Sequence, residues 1–299
     1  MAHRAFGIGL YAPAGFATDP EAVARAIARL EAAGHRVVVD RTVAGRWQRF
    51  SAPDDERLAA LMRMAEDPRV DLAIAVRGGY GWTRLLDGLD FARIAAERKR
   101  WLGHSDFTAF QLAALAATGM VSFAGPLAAY DLGAESPSQF TLRHCWELLA
   151  NEEHVAEFPV AGPSSFAAEG TLWGGNLSLV AHLVGTRHFP RVDDGILFVE
   201  DVGEHPYRIE RMLYQLQHAG ILDRQRALLL GEFNGFELGA NDNGYDLGTM
   251  VDHCRSAFAV PIFAGLPFGH CRDKLTLPVG ARCVLAVERG VARLALSGY

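Results

Sequence analysis

The 299-residue sequence has little cysteine: Cys145, Cys254, Cys271 and Cys283 lie far apart, with no C-x-x-C pair. That spacing argues against a disulfide framework and against a zinc knuckle. There is no surplus of positive charge either. Lys and Arg number 29 against 35 Asp and Glu, a formal net charge of −6, and no basic run marks a nucleic acid or a membrane surface as partner. No apolar stretch reaches the roughly 20 residues a bilayer-spanning helix requires. The opening MAHRAFGIGLYAPAG enters a strand-like segment with no charged-then-apolar leader, so a cytoplasmic setting is expected. Neither G-x-G-x-x-G nor a Walker lysine is present, and no metal-ligand spacing stands out. No cofactor and no metal are expected.

What is present is an ordinary globular composition, half apolar and about a fifth charged, in a chain long enough for two domains. Residues 6–11 read as a buried strand, and Asp19-Pro20 opens an amphipathic helix to about residue 33, in the cap-then-proline order of a helix start. A strand at 35–39, a helix at 53–66 and an unbroken apolar strand at 70–76 complete a βαβαβ rhythm. Such a rhythm builds a parallel sheet. A helix at 85–98, a strand at 121–126 and a helix at 139–149 follow. We read residues 1–150 as the first domain, the aperiodic Glu/Ala/Pro/Gly/Ser-rich stretch 151–169 as a linker, and 170–299 as the second domain. In the latter, strands are expected at about 196–199, 227–233 and 261–266. Two more, near 274–277 and 282–287, suggest a small mixed sheet.

Four features carry chemistry. The segment K-R-W-L-G-H-S-D-F-T-A at 99–109 reads as strand, tight turn and helix, which lifts the Ser105 hydroxyl out of the sheet and aims the Asp106 N–H at the same space. The match to G-x-S-x-G is partial, and Ser105 or Asp106 could equally be a plain helix cap. Arg77-Gly78-Gly79-Tyr80-Gly81 follows the third strand, where ligands gather in open α/β sheets, and its glycines can offer free N–H groups. Glu200 ends a fully apolar strand, where a carboxylate is costly unless it is paired or faces a cleft; Arg208 or Arg211 could pair with it. His270 sits in a turn after another strand and is suited to general-base work. Together these residues have the logic of a serine hydrolase: histidine takes the Ser105 proton, the carboxylate orients the imidazole, and N–H groups hold the oxyanion. Each such N–H contributes about 3–4 kcal/mol to barrier lowering.

With these motifs assembled, the chain resembles the LD-carboxypeptidases, serine peptidase family S66. The resemblance runs through APAG at 12–15, RGGYG at 77–81, GHSDFTA at 103–109, GGNLSL at 174–179, LVGT at 183–186, LFVEDVGEHPYRIERML at 197–213 and GLPFGH at 265–270. It implies an N-terminal parallel-sheet Rossmann-like domain of the flavodoxin or class I amidotransferase kind, plus a smaller C-terminal α/β domain supplying glutamate and histidine. Ser105 falls on the family's nucleophile, His270 on its histidine and Glu200 on its glutamate, with Glu204 an alternative acid. The backbone of Gly79 and Asp106 falls on the oxyanion hole. Members release terminal D-alanine from cytoplasmic murein tetrapeptides by cutting an L,D-amide, and are commonly homodimers. Arg77 and Arg208 are candidates for the substrate's terminal carboxylate, and Tyr80 joins the substrate-binding set. His104 stands where many relatives carry an aromatic residue. The same family holds a branch that cleaves microcin-type peptidyl nucleotides, and Trp173 or Phe233 can be read as its aromatic clamp. A non-catalytic peptide-binding module is a further alternative. A glutamine amidotransferase is excluded, because no cysteine stands at the elbow.

Overall fold

The computed structural model describes residues 4–299. In its first half, strands β1 (Gly7–Tyr11), β2 (Arg36–Val39), β3 (Leu72–Ala75), β4 (Arg100–Gly103) and β5 (Ser122–Ala124) alternate with helices α1 (Pro20–Ala32), α2 (Asp54–Glu66), α3 (Phe91–Ala96) and α4 (Thr108–Thr118), and α5 (Gln139–Ala150) follows. The five strands are parallel. The local signals work as physical chemistry dictates: the Asp19 carboxylate accepts the Glu21 and Ala22 N–H groups at the start of α1, and Gly119, at φ 70°, ends α4 in a left-handed cap. Strands β1 and β3 are buried along their whole length, as expected of a sheet covered on both faces.

The second half comprises β6 (Glu153–Pro159), β7 (Ser165–Asn176), α6 (Leu177–Leu183), β8 (Gly195–Val202), α7 (Pro206–His218), β9 (Gln225–Asn234), α8 (Leu247–Ala257), β10 (Ile262–Ala264), β11 (Leu277–Val279), β12 (Arg282–Glu288) and β13 (Val291–Ser297). Seven strands form a sheet in the order β10-β9-β8-β7-β12-β13-β6. Its β10 to β7 portion is parallel and its β7 to β6 portion antiparallel. The long β7 serves both: residues 165–171 pair with β12 and residues 172–176 with β8.

Three expectations need correction. The linker at 151–169 is mostly strand: β6 alternates exposed and buried residues, but its inward positions are His154, Ala156 and Phe158, too weak an apolar stripe to stand out. The helix at 85–98 shrinks to α3, preceded by short 3₁₀ turns, because Asp90 caps a new start by accepting the Arg93 N–H. The segment 274–277 does not join the small mixed sheet. It leads into β11, which crosses over and pairs antiparallel with β5, making a six-stranded first sheet in the order β11-β5-β4-β3-β1-β2. Helix α8 and strand β13 are additions that the residue pattern did not single out.

Just before that crossing strand, the wholly buried Lys274 ammonium meets Asp131 Oδ1 at 2.7 Å, while Asp131 Oδ2 accepts the Leu127 N–H. Removing one member of such a pair strands the other charge in a medium that solvates it poorly. Lys274→Met is therefore expected to lower stability by about 3–5 kcal/mol in urea denaturation. Adding Asp131→Asn, which can still accept the Leu127 N–H, should recover part of the loss. A single-variant loss below about 1 kcal/mol would show the pair to be dispensable.

Candidate active site

Strand β4 ends at Gly103, where a Cβ would lie 2.4 Å from Phe107 Cγ. The missing side chain lets the Phe107 ring close under the turn, next to Trp82 and Phe110. His104 is extended, and Ser105 takes φ 62°, left-handed and unusual for a residue with a side chain. One 3₁₀ turn, Ser105–Phe107, then leads into α4. This strained strand-to-helix elbow displays the Ser105 hydroxyl at the carboxyl end of the sheet. The loop after β3 passes beside it: a Cβ on Gly78 would lie 3.0 Å from Ser105 Cβ.

His270 comes from the segment between β10 and β11. Its Nε2 lies 3.1 Å from Ser105 Oγ and its Nδ1 2.7 Å from Glu200 Oε2. Glu200, on β8, is wholly buried, and Asn176 Nδ2 donates to its other oxygen, Oε1, at 3.3 Å and to Asp201 Oδ1 at 2.9 Å. A carboxylate can only accept, so it places the proton on His270 Nδ1 and leaves Nε2 free to accept from the serine hydroxyl. The arrangement is a nucleophile, a base and an orienting acid in one hydrogen-bonded row. Glu204, the alternative acid, instead faces Arg208 at 3.6 Å.

Two buried groups surround the row. The His104 ring lies tilted, 4.6 Å from the His270 ring, and edge-on to Phe268, its Nε2 4.0 Å from Glu200 Oε2. Burial, with the charges of Lys274 and His270 adding to it, holds its pKa well below the usual histidine value. It is a neutral neighbour of the row. Asp106, 1% exposed, accepts the Trp82 N–H at 3.0 Å. Arg57, also buried, donates to Gly81 O and Pro13 O. Side chains from outside the glycine loop therefore fix it against the elbow, with Gly79, at φ 103°, beside Gly78. The Asp106 N–H lies in the first turn of a helix, where such groups lack intrahelical partners.

A cavity of about 310 Å³ opens next to His270, lined by Tyr130, Ser138, Thr141 and Arg272 among others. Tyr130 and Ala134 also border a second one of about 230 Å³ that holds Arg77 and Arg25. Arg77 donates to Phe16 O and keeps further donors for a ligand. Tyr80 is exposed, its ring near Phe50. Arg208 lines neither cavity, its partners being Glu204 and Tyr207. Trp173 and Phe233 are core residues, the Trp173 indole bonded to Gln225, so neither is available as a clamp. Sequence reasoning missed Arg272, Asn176 and Arg57. Arg272 could have been found from its place two residues after His270; the other two reach the site through contacts that are distant in sequence, Asn176 to Glu200 and Arg57 to Pro13 O and Gly81 O. Cys271, also lining the first cavity, is no competing nucleophile, since burial pushes its thiol up to about 11.

Burial raises the Asp106 carboxyl from 3.8 to about 6, against the pull of the Trp82 N–H and Arg57. Between those values the folded chain holds a proton that the unfolded chain has lost. The stability from this group is thus full below the unfolded value and lost as pH rises through the folded one. Asp106→Asn abolishes the titration, so its Tm relative to the parent should climb from about pH 4 to about pH 7 and then level off. A difference that stays constant over that range would show that Asp106 does not titrate there.

The LD-carboxypeptidase N-terminal domain family matches residues 8–125, and the LD-carboxypeptidase C-terminal domain family matches 169–285. The chain is 32% identical to the murein tetrapeptide carboxypeptidase of Pseudomonas aeruginosa, over 94% of each protein. It is 44% identical to the crystal structure of muramoyltetrapeptide carboxypeptidase from Oxalobacter formigenes, which it matches at a TM-score of 0.92, covering 98% of this chain and 99% of that one. The microcin C7 self-immunity protein MccF shares the fold, at a TM-score of 0.89 and 22% identity over 100% of this chain and 98% of that one. Both halves of the chain and its whole-length relatives agree: this protein belongs to the LD-carboxypeptidase family.

Proposed function

We propose that the protein is a serine carboxypeptidase that cleaves an L,D-amide bond and releases terminal D-alanine from murein tetrapeptides, with Ser105, His270 and Glu200 as its triad. The observation that carries this reading is the His270 ring, bonded at Nε2 to Ser105 Oγ and at Nδ1 to Glu200 Oε2. His270 Nε2 takes the Ser105 proton as Oγ attacks the scissile carbonyl, and the resulting imidazolium is held by Glu200. The main-chain N–H groups of Gly79 and Asp106 receive the oxyanion. Collapse of the tetrahedral intermediate passes the proton from Nε2 to the leaving D-alanine nitrogen. Water, activated by the same nitrogen, then hydrolyses the acyl-enzyme and restores Ser105.

A carboxypeptidase also needs a cation for the free carboxylate of its substrate. Arg272 beside His270 and Arg77 in the adjoining cavity are the cations we assign to the bound peptide, and Tyr80 at the loop rim completes the site. Arg208 is withdrawn from this role by its position. The reading includes a cytoplasmic setting, where murein fragments are recycled, and a homodimer; both rest on the family resemblance. No helix among the described residues is long and apolar enough to cross a membrane.

Incubated with L-Ala-γ-D-Glu-meso-diaminopimelyl-D-Ala, the protein should remove one alanine, read by mass spectrometry. Ser105→Ala should abolish this while leaving peptide affinity within about tenfold, since the hydroxyl serves chemistry more than ground-state binding. A Ser105→Ala variant that turns over normally would remove the serine from the mechanism. Glu200→Gln should lower kcat by about 10³–10⁴-fold through loss of the orienting charge, whereas Glu204→Gln should leave kcat within about threefold. The reverse order would make Glu204 the acid.

A further inference from the structure

Apart from the Ser105 row, the described residues contain a second cluster of ligand-type side chains: His144, Glu147 and His154, each offering one donor atom within 4.8 Å of the others. His144 and Glu147 are three residues apart on α5 and so share a face. His154 is an inward position on β6, which is the outermost strand of its sheet. The end of the helix lies against that strand, bringing His144 Nδ1 to 3.0 Å from His154 Nε2. Both imidazoles are 8% exposed, and Glu147 stands at the open rim.

A buried pair of rings set nitrogen to nitrogen can share a single N–H, and neither ring is well placed to charge. Burial, followed by the neighbouring His154 and Arg143, pushes His144 down to about 4, and burial lowers His154 as well. Neutral imidazole is the form that binds metal. A tetrahedral zinc-class ion, with Zn–N near 2.05 Å, holds two nitrogen ligands about 3.3 Å apart. The nitrogens need to separate by a few tenths of an ångström and the rings to turn until both lone pairs face the ion; Glu147 then supplies a negative oxygen while water takes the fourth position. Two histidines, one glutamate and one solvent molecule are a known ligand set for zinc.

We propose that His144, Glu147 and His154 form a binding site for a divalent transition metal of the zinc class, one that clips α5 to β6. The protons balance. Arg143 lies 3.3 Å from His144 Nε2 and can only donate, so without metal His144 carries its proton on Nδ1 and gives it to His154 Nε2. On metal binding that proton leaves Nδ1 for solvent, and Nε2 takes one up as the exposed Arg143 side chain swings aside, with no net release. The opposite end of α5 is already tied to the His270 segment, through Ser138 to Asp273 and Thr141 to Arg272 O. The metal would fix the same helix at its other end.

The test is titration of Zn2+ into chelator-stripped, tag-free, full-length protein, followed by calorimetry and thermal melting. One equivalent should bind, with a Tm that keeps rising with the logarithm of free Zn2+. His154→Phe should weaken binding about a hundredfold or more. Glu147→Gln, exposed and harmless to the core, should weaken it about tenfold, and His104→Phe should leave it unchanged. Co2+ in place of Zn2+ should give the visible bands of a tetrahedral N/O site in the parent and lose them in His154→Phe. The proposal fails if no saturable binding is found, or if binding survives both His154→Phe and Glu147→Gln. It fails equally if His104→Phe abolishes binding, which would put the metal at the His104, Glu200 and His270 group instead.

Discussion

The two hydrogen bonds of one imidazole depend on the relative placement of two sheets. Ser105 is fixed by the end of β4 in the first sheet, Glu200 by β8 in the second, and His270 reaches both. The chain solves the alignment by routing itself across the gap at that point. Strand β10 belongs to the second sheet and β11 to the first, so His270 lies on the crossing itself. Further bonds keep the crossing in register. Lys274 is buried on Asp131, Asp273 accepts from Ser138, and Arg272 O accepts from Thr141. On the Ser105 side, Thr108 Oγ1 accepts the Asn176 N–H at 3.0 Å, joining the first turn of α4 to the end of β7. That approach needs Gly175, because a Cβ there would come within 2.4 Å of Thr108 Oγ1.

This geometry concentrates polar groups where a core would ordinarily be apolar. Glu200, Asp201, Asn176, Asp106, Arg57 and Lys274 are all buried. Each is tolerable because its atoms find partners: Asp201 alone accepts from Asn176 Nδ2 and from both the N–H and the hydroxyl of Ser178. Unpaired, such groups would each cost several kcal/mol. The network also chooses one arrangement among many, since shifting Asn176 would leave Glu200 Oε1 without its donor. Asp106 is the least comfortable member, with two main-chain donors set against near-complete burial. Its discomfort is located at the loop that borders the nucleophile.

The sequence made the strand-turn-helix elbow, the glycine loop and the strand ends legible because those depend on local rules: apolar runs, caps and glycines that each act within a few residues. Ser105, Glu200 and His270 could be named since each follows a strand that its neighbours predict. Strand β6 stayed hidden because its inward face includes His154 and Ala156, and β11 was placed in the wrong sheet because register is decided by partners far away in sequence. The same limit explains Arg57, whose bonds to the carbonyls beside the glycine loop span 24 and 44 residues. It explains His144 and His154 too, ten residues apart across a helix end and a strand start. Arg208 shows the opposite, local case: its partner Glu204 is an i, i+4 neighbour within reach of its own helix turn.

The strained residue at the elbow persists because relaxing it would undo better-paid contacts. A serine at φ 62° costs about 1–3 kcal/mol relative to a helical or extended one. Moving it out of that region would rotate the 3₁₀ turn and with it Phe107, which is 1% exposed and wedged between Trp82, Phe110 and the bare face of Gly103. Burying a phenylalanine ring contributes about 1.5–3 kcal/mol, and its aromatic contacts add further. Asp106, one residue earlier, would also lose the Trp82 N–H and face burial without it. The strain is therefore outweighed by the two residues that follow Ser105, and the hydroxyl is held out toward His270 by packing on the far side of the turn.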